Sequence, residues 1–187
     1  MSESTMIRHS SYKINWTELN KSKLEKLLRQ EKDPGIDKQE LEKHLNTEKL
    51  LEKEFTKVYT SPLKRAKQTA EKISEVLKIP VEQREELREH SFNEIPTEAF
   101  QEGSEAVRQH LLDRTKEKSV ETSFIDEKAG ENVLMVSHGF KMRNVHRELF
   151  GTKFKRLRND QRFREYLEGF KLKSAEKTGF REVGENR

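Results

Sequence analysis

The sequence contains no cysteine, which excludes disulfides, thiolate zinc sites and cysteine nucleophiles together. No apolar run approaches the roughly 20 residues needed to span a bilayer, so a membrane is not an expected partner. The opening residues, Met1-Ser2-Glu3-Ser4-Thr5, lack the basic and apolar blocks of a secretory signal. With the missing cysteine, this points to a cytoplasmic protein. No internal repeat or low-complexity tract interrupts the 187 residues, a length that suits one domain and is short for two. Hydrophobic residues are scarce, at 31% against 39% charged, and mean hydropathy is −1.05. That balance leans towards the disordered end of the range. The charges are mixed, however, the net is only +4, and the apolar residues gather in periodic segments. The reading is a folded domain with a strongly charged surface.

Charge is unevenly placed. Residues 141–187 hold 14 Lys and Arg against 7 Asp and Glu, whereas residues 1–140 hold 24 against 27. A basic tail attracts polyanions, but no aromatic residues interleave with the charges to stack on bases. A solvated helix face is therefore the preferred reading, and nucleic acid is not an expected partner. No sequence feature specifies an oligomeric state.

Along the chain, strand and helix signals alternate. Met6-Ile7 reads as the end of a short strand. Leu19, Leu24, Leu27 and Leu28 predict a helix over 17–31 with Thr17 as its cap, broken by Asp33-Pro34-Gly35. A second helical pattern runs through Ile36, Leu41, Leu45 and Leu51. Phe55–Thr60 reads as a strand, and Ser61-Pro62 opens a helix with Ser61 as N-cap. The apolar face of that helix is Leu63, Ala66, Ala70, Ile73 and Leu77. Ile79–Val81 is a short extended piece, residues 82–103 are looser, and a helix follows near 104–118. Asn132–Ser137 contains the run Val133-Leu134-Met135-Val136, expected of a central parallel strand covered on both faces. His138-Gly139 ends it, and a helix with Met142, Val145, Leu149 and Phe150 follows. Residues 152–187 add a helix and an edge strand, or are partly disordered. The expected fold is a single α/β domain over 1–187, a three-layer α/β/α sandwich with a mostly parallel central sheet. Its chemistry belongs at the carboxyl ends of the strands.

Three strand exits carry His9, Arg65 and His138 towards one crevice, a set suited to a phosphoryl group. A histidine nitrogen accepts phosphate when a neighbour fixes its tautomer and cations neutralise the oxygens. Arg8 and Arg65 each offer forked donors. His138 adds a donor, and its place before a helix N-terminus adds a dipole favourable to an anion. An acid must then protonate the leaving alkoxide, and a carboxyl is the usual solution. Each residue taken singly has a bland reading: His9 near a terminus, Arg65 on a solvated helix, Glu89 among Glu82, Glu85 and Glu86. His44, His90, His110 and His146 show no ligand spacing and are read as structural.

These residues lie in motifs that resemble those of the histidine phosphatase superfamily, the phosphoglycerate mutase-like proteins. Arg8-His9-Ser10 resembles the Arg-His-Gly signature. Tyr59 to Glu71 is a near-complete match to Ser-Pro-Leu-x-Arg-Ala-x-Gln-Thr-Ala, the most specific of the four. Leu87-Arg88-Glu89-His90-Ser91-Phe92-Asn93-Glu94 resembles Leu-x-Glu-x-x-Phe-Gly-x-Trp-Glu, and Val136-Ser137-His138-Gly139 matches the fourth motif. Ser10 and Asn93 stand where the family has glycine, Tyr12 where threonine is common, and Ile95 where it has tryptophan. The resemblance spans about residues 6–150. It implies that His9 is phosphorylated and that Arg8, Arg65 and His138, with Gly139, form the phosphate pocket. It further implies that Glu89 is the acid and then the base, that Asn15 touches phosphate, and that neither metal nor cofactor is needed. The implied activity is hydrolysis of a phosphomonoester, on a small metabolite or a phosphoprotein. The alternatives are a mutase using the same intermediate, a non-catalytic phosphate-binding module of the same fold, and a polyanion-binding basic tail. The short stretch between Glu89 and the strand at 132 leaves little lid, which favours the phosphatase.

Overall fold

The computed structural model describes residues 4–10, 19–45, 47–128, 131–150, 169–172 and 182–183. The chain begins with β1 (Ser4–Arg8), followed by three helices, α1 (Lys21–Leu28), α2 (Lys38–His44) and α3 (Thr47–Leu51). Strand β2 (Lys57–Thr60) leads into α4 (Lys64–Leu77) and then β3 (Val81–Gln83). A 3-10 turn (Glu85–Leu87) precedes α5 (Thr97–Glu102), α6 (Ser104–Lys116) and α7 (Ser123–Lys128). The last elements are β4 (Val133–Ser137), α8 (Gly139–Phe150), β5 (Gly169–Leu172) and β6 (Glu182–Val183). Among the described residues no helix is long and apolar enough to cross a membrane.

The strand order is β3-β2-β4-β1-β5-β6. The first four are mutually parallel, and β5 and β6 add antiparallel edges. Side chains alternate across the sheet, as the pleat requires. Ile7, Val58, Leu134 and Val136 bury one face against Ile36, Leu41, Leu45, Leu50 and the Ala66, Ala70, Ile73 stripe of α4. Met6, Tyr59, Val133 and Met135 bury the other against Phe124 and Ile125 of α7 and Met142, Val145 and Leu149 of α8. The sheet is therefore covered on both faces, giving three layers. A smaller cluster, Phe92, Ile95, Val107 and Leu111 with Leu24, Leu28 and Phe140, sits to one side. It places Ile95, the residue in the tryptophan position, in an apolar role.

Several boundaries differ from the sequence reading. The first helix begins at Lys21, with Asn20 as cap accepting from Lys23 N at 2.9 Å; Thr17 lies outside the described residues. The pattern from Ile36 to Leu51 is two helices, the first capped by the Asp37 carboxylate on Gln39 N and Glu40 N. Ser61 is not the cap of α4. That position belongs to Leu63, which makes no side-chain cap, and the Asp33 carboxylate receives Lys64 N instead. The breaker Asp33-Pro34-Gly35 thus caps a helix 31 residues later in the chain. The segment read as loose, 82–103, is ordered, with Leu87, Phe92 and Ile95 buried, and α7 is an element that the sequence pattern does not flag. The expectation for residues 152–187 lies outside the described residues, except for β5 and β6.

Candidate active site

Parallel pairing sets Arg8 opposite Ser137 and Thr60 opposite Val136. The residues that follow those pairs, His9, Ser61 and His138, therefore leave the sheet side by side. His9 and His138 are both buried, with ring centroids 4.9 Å apart. From the first turn of α4, Arg65 Nε donates to His9 Nε2 at 3.2 Å. Topology alone thus brings together the three residues singled out from strand exits.

The tautomer of His9 follows from its partners. Nδ1 lies 2.6 Å from Ser10 O, and a carbonyl only accepts, so Nδ1 carries the proton and Nε2 the lone pair. The Ser10 peptide is itself held, because Ser10 N donates to Thr69 Oγ1 at 3.0 Å and Thr69 Oγ1 donates to Arg65 O at 2.8 Å. One hydroxyl of α4 therefore anchors the backbone N–H of the residue whose carbonyl orients the ring. Ser10 has no positive φ, so the position accepts a side chain without left-handed strain.

Arg65 is oriented by a residue that the sequence reading treated only as a helix breaker. Its Nη1 donates to Asp33 Oδ1 at 3.2 Å. Gln68 Oε1 accepts from Ile36 N at 2.9 Å and holds the turn that carries Asp33; a Cβ at Gly35 would lie 2.7 Å from that oxygen. Thr69 and Gln68 belong to the motif at 61–71, so their signal was present; Asp33 had none.

Ser61 Oγ accepts from Leu63 N at 3.2 Å and lies 2.7 Å from His138 Nε2. His138 Nδ1 is buried and, among the described residues, has no hydrogen-bond partner. Arg8 packs across Gly139, where a Cβ would lie 3.4 Å from Arg8 Nε and 3.5 Å from Cζ. Glycine lets that guanidinium lie flat on the strand-to-helix turn. Asn15 lies outside the described residues.

Glu89 is half-buried, and its carboxyl sits at the N-terminus of α8. Oε1 accepts from Lys141 N (2.7 Å) and His90 N (3.0 Å), and Oε2 from Phe140 N (3.1 Å). The helix end allotted by the sequence reading to a substrate anion is therefore taken by this carboxyl, because two α8 donors are already committed to it. Ser137 Oγ donates to Leu87 O at 2.7 Å, joining the acid segment to the end of β4.

Electrostatics divide these groups. Burial, then the charges of His138, Arg65 and Arg8, hold His9 well below the ordinary imidazole value. Burial, then Arg65, Arg8 and Arg88, do the same to His138. Burial pushes Glu89 up from the usual carboxylate range, against the pull of Arg65 and the three N–H groups. An imidazole biased towards its neutral form and a carboxyl biased towards holding its proton are the tendencies that acid-assisted group transfer requires. Among the described residues, no cluster of three His, Asp or Glu is placed to hold a metal ion.

Comparison with known proteins yields one family. The chain matches the sequence profile of the histidine phosphatase superfamily (branch 1) over residues 5–123, a range that includes His9, Arg65 and Glu89. No protein of curated function matches it. Among solved structures it resembles Bacillus stearothermophilus YhfR, at 20% identity over 99% of this chain and 96% of that one, TM-score 0.55. It resembles phosphoglycerate mutase from Bacillus anthracis at 19% identity over 98% and 92%, TM-score 0.55. It also resembles a mycobacterial glucosyl-3-phosphoglycerate phosphatase complexed with VO3, at 14% identity over 91% and 90%, TM-score 0.55. At such identities the three share the fold.

Proposed function

The chain belongs to the histidine phosphatase superfamily, and on that footing we propose that it hydrolyses phosphomonoesters through a phosphohistidine at His9. The observation that carries this reading is the paired commitment of the His9 ring, Nδ1–H to Ser10 O and the Nε2 lone pair towards Arg65. In the first step His9 Nε2 attacks phosphorus and the bond to the ester oxygen breaks. Glu89 gives its proton to the departing alkoxide. Oε2, which receives a single donor among the described residues, is the oxygen suited to carry that proton. In the second step the Glu89 carboxylate takes a proton from water, whose oxygen attacks the phosphohistidine and releases inorganic phosphate. Arg8, Arg65 and His138 hold the phosphoryl oxygens throughout, with Asn15 as a further contact. Substrates are small phosphorylated metabolites or a phosphoprotein, and the residues named need no metal.

The test is turnover of 4-nitrophenyl phosphate in the presence of a chelator, with acid quenching to trap labelled phosphate on the protein. Acid-labile label that vanishes in His9→Ala, together with lost turnover, is the expected result. Undiminished turnover by His9→Ala, or none by the wild type across a panel of phosphomonoesters, would sink the reading. Transfer of label to a second hydroxyl in place of water would make the protein a mutase.

A further inference from the structure

Helix α1 ends in a geometry that ordinarily selects glycine. Gln30 N donates to Leu27 O at 3.1 Å and Glu31 N to Lys26 O at 2.9 Å, the paired closure in which the penultimate position turns left-handed. That position is Gln30, at φ +64°. A side chain there is strained where glycine is not, and a non-glycine residue kept in that conformation calls for a reason in its side chain.

Both ends of the Gln30 amide are engaged. Nε2 donates to Glu89 O at 2.8 Å, and Oε1 accepts from Arg88 Nη1 at 3.1 Å. Gln30 therefore grips the two residues at the centre of the acid segment, one through its peptide and one through its guanidinium. Neighbouring contacts from the same helix reach further along that segment, Phe92 N to Leu28 O (3.1 Å), Arg29 Nη1 to Asn93 O (3.2 Å) and Ile95 N to Glu25 Oε1 (3.3 Å). Only the Gln30 contacts, among these, fall on residues 88 and 89. The Glu89 carboxyl is held from the other side by Phe140 N and Lys141 N. With its side chain fixed by α8 and its peptide fixed by α1, the glutamate is clamped at both ends.

We propose that Gln30 is a positioning residue that holds Glu89 at the height of the leaving-group oxygen, an inference that rests on the phosphatase reading above. Nothing at Gln30 touches the reacting atoms, so its loss should weaken proton delivery and leave the attack by His9 intact. Arg88, whose guanidinium bonds Gln30 Oε1 and makes two bonds to Glu85 (2.6 and 2.9 Å), fixes the residue that precedes Glu89.

The experiment compares Gln30→Gly and Gln30→Ala with the wild type and with Glu89→Gln on two esters. One is 4-nitrophenyl phosphate, whose leaving group departs without a proton; the other is an alkyl phosphate, which needs one. Both Gln30 variants should lose roughly ten- to a hundredfold in kcat/KM on the alkyl ester, the scale of a misplaced catalytic group, with little change on the nitrophenyl ester. Gln30→Gly, relieved of its backbone strain, should melt no lower than the wild type, which separates lost positioning from lost stability. Equal losses on both esters, or none on either, would overturn the role of Gln30 while leaving the phosphatase reading in place. If Glu89→Gln itself shows no dependence on the leaving group, the acid assignment fails and the role of Gln30 fails with it.

Discussion

His9 has both ring nitrogens committed and Glu89 has both carboxyl oxygens committed, so the chemistry of each depends on which state burial favours. In the proposed mechanism neutral His9 and protonated Glu89 are the reactive forms, and both are the forms that burial favours. An imidazole held well below 6.5 stays neutral where a free one would not. The kcat/KM for an alkyl phosphate should therefore hold down to about pH 5.5, where a free imidazole is mostly protonated. It should fall as pH rises through the elevated pKa of Glu89. Glu89→Gln should flatten that basic limb and cost on the order of 10²–10⁴ in rate. A rate that declines below pH 6.5 along an ordinary imidazole titration would contradict the assignment. Ser10 offers a stability test beside the nucleophile. Its hydroxyl is fully buried and, among the described residues, without a hydrogen-bond partner, a state that costs about 1–3 kcal/mol. Ser10→Ala should accordingly raise the melting temperature by about 2–12 °C, and a clear fall on calorimetry would show that the hydroxyl is satisfied in solution. Thr69→Val makes the opposite change, stranding the buried Ser10 N–H at about 1–3 kcal/mol, and should lower the melting temperature on calorimetry.

At the scale of elements, helix ends carry the site. The N-terminus of α8 receives Glu89, the N-terminus of α4 receives Asp33, and the C-terminus of α1 presents Gln30. Asp33 does two things, capping α4 and orienting Arg65. Asp33→Ala should remove about 1 kcal/mol of capping, a fall of about 2–4 °C in melting temperature. It should also lower kcat/KM on every ester alike, because in the proposed mechanism Arg65 serves the phosphoryl group and not the leaving group. Asp33→Asn, which keeps an acceptor for Lys64 N, should recover the melting temperature and only part of the activity. Full activity in both variants would show that Arg65 is held without Asp33.

For the molecule as a whole, buried neutral histidines set the acid limit of stability. His9 and His138 lie well below 6.5, and His90, desolvated and facing Lys141, Lys118 and Arg147, is held down to about 4. In the unfolded chain all three bind protons near pH 6.5, so the unfolded state gains protons first. Stability is then lost as pH falls below about 6.5, by up to about 1.4 kcal/mol per unit for each group. Glu89 acts in the other direction, since the fold retains its proton at pH values where the unfolded chain has released it. Three histidines against one carboxyl should leave a melting temperature distinctly lower at pH 5 than at pH 7.5. Equal values on calorimetry would mean that these rings take up protons inside the fold.

The sequence by itself determined the parts that depend on local pattern. The Val133–Val136 run fixed a central strand, the apolar face of α4 fixed its packing, and the motif at 61–71 fixed the family. Parallel pairing then made His9, Arg65 and His138 neighbours once the strands were known. What only the tertiary structure decided were contacts between residues far apart in the chain. Asp33 caps a helix that begins at Lys64, Gln30 grips Arg88 and Glu89, and Glu89 occupies the α8 N-terminus. Ser61, read as a cap, pairs its hydroxyl with His138. Each of these is a side chain meeting a backbone group or charge that local propensity does not specify. Capping propensity says that a helix end needs an acceptor; which residue supplies it depends on how the three layers bring distant turns together.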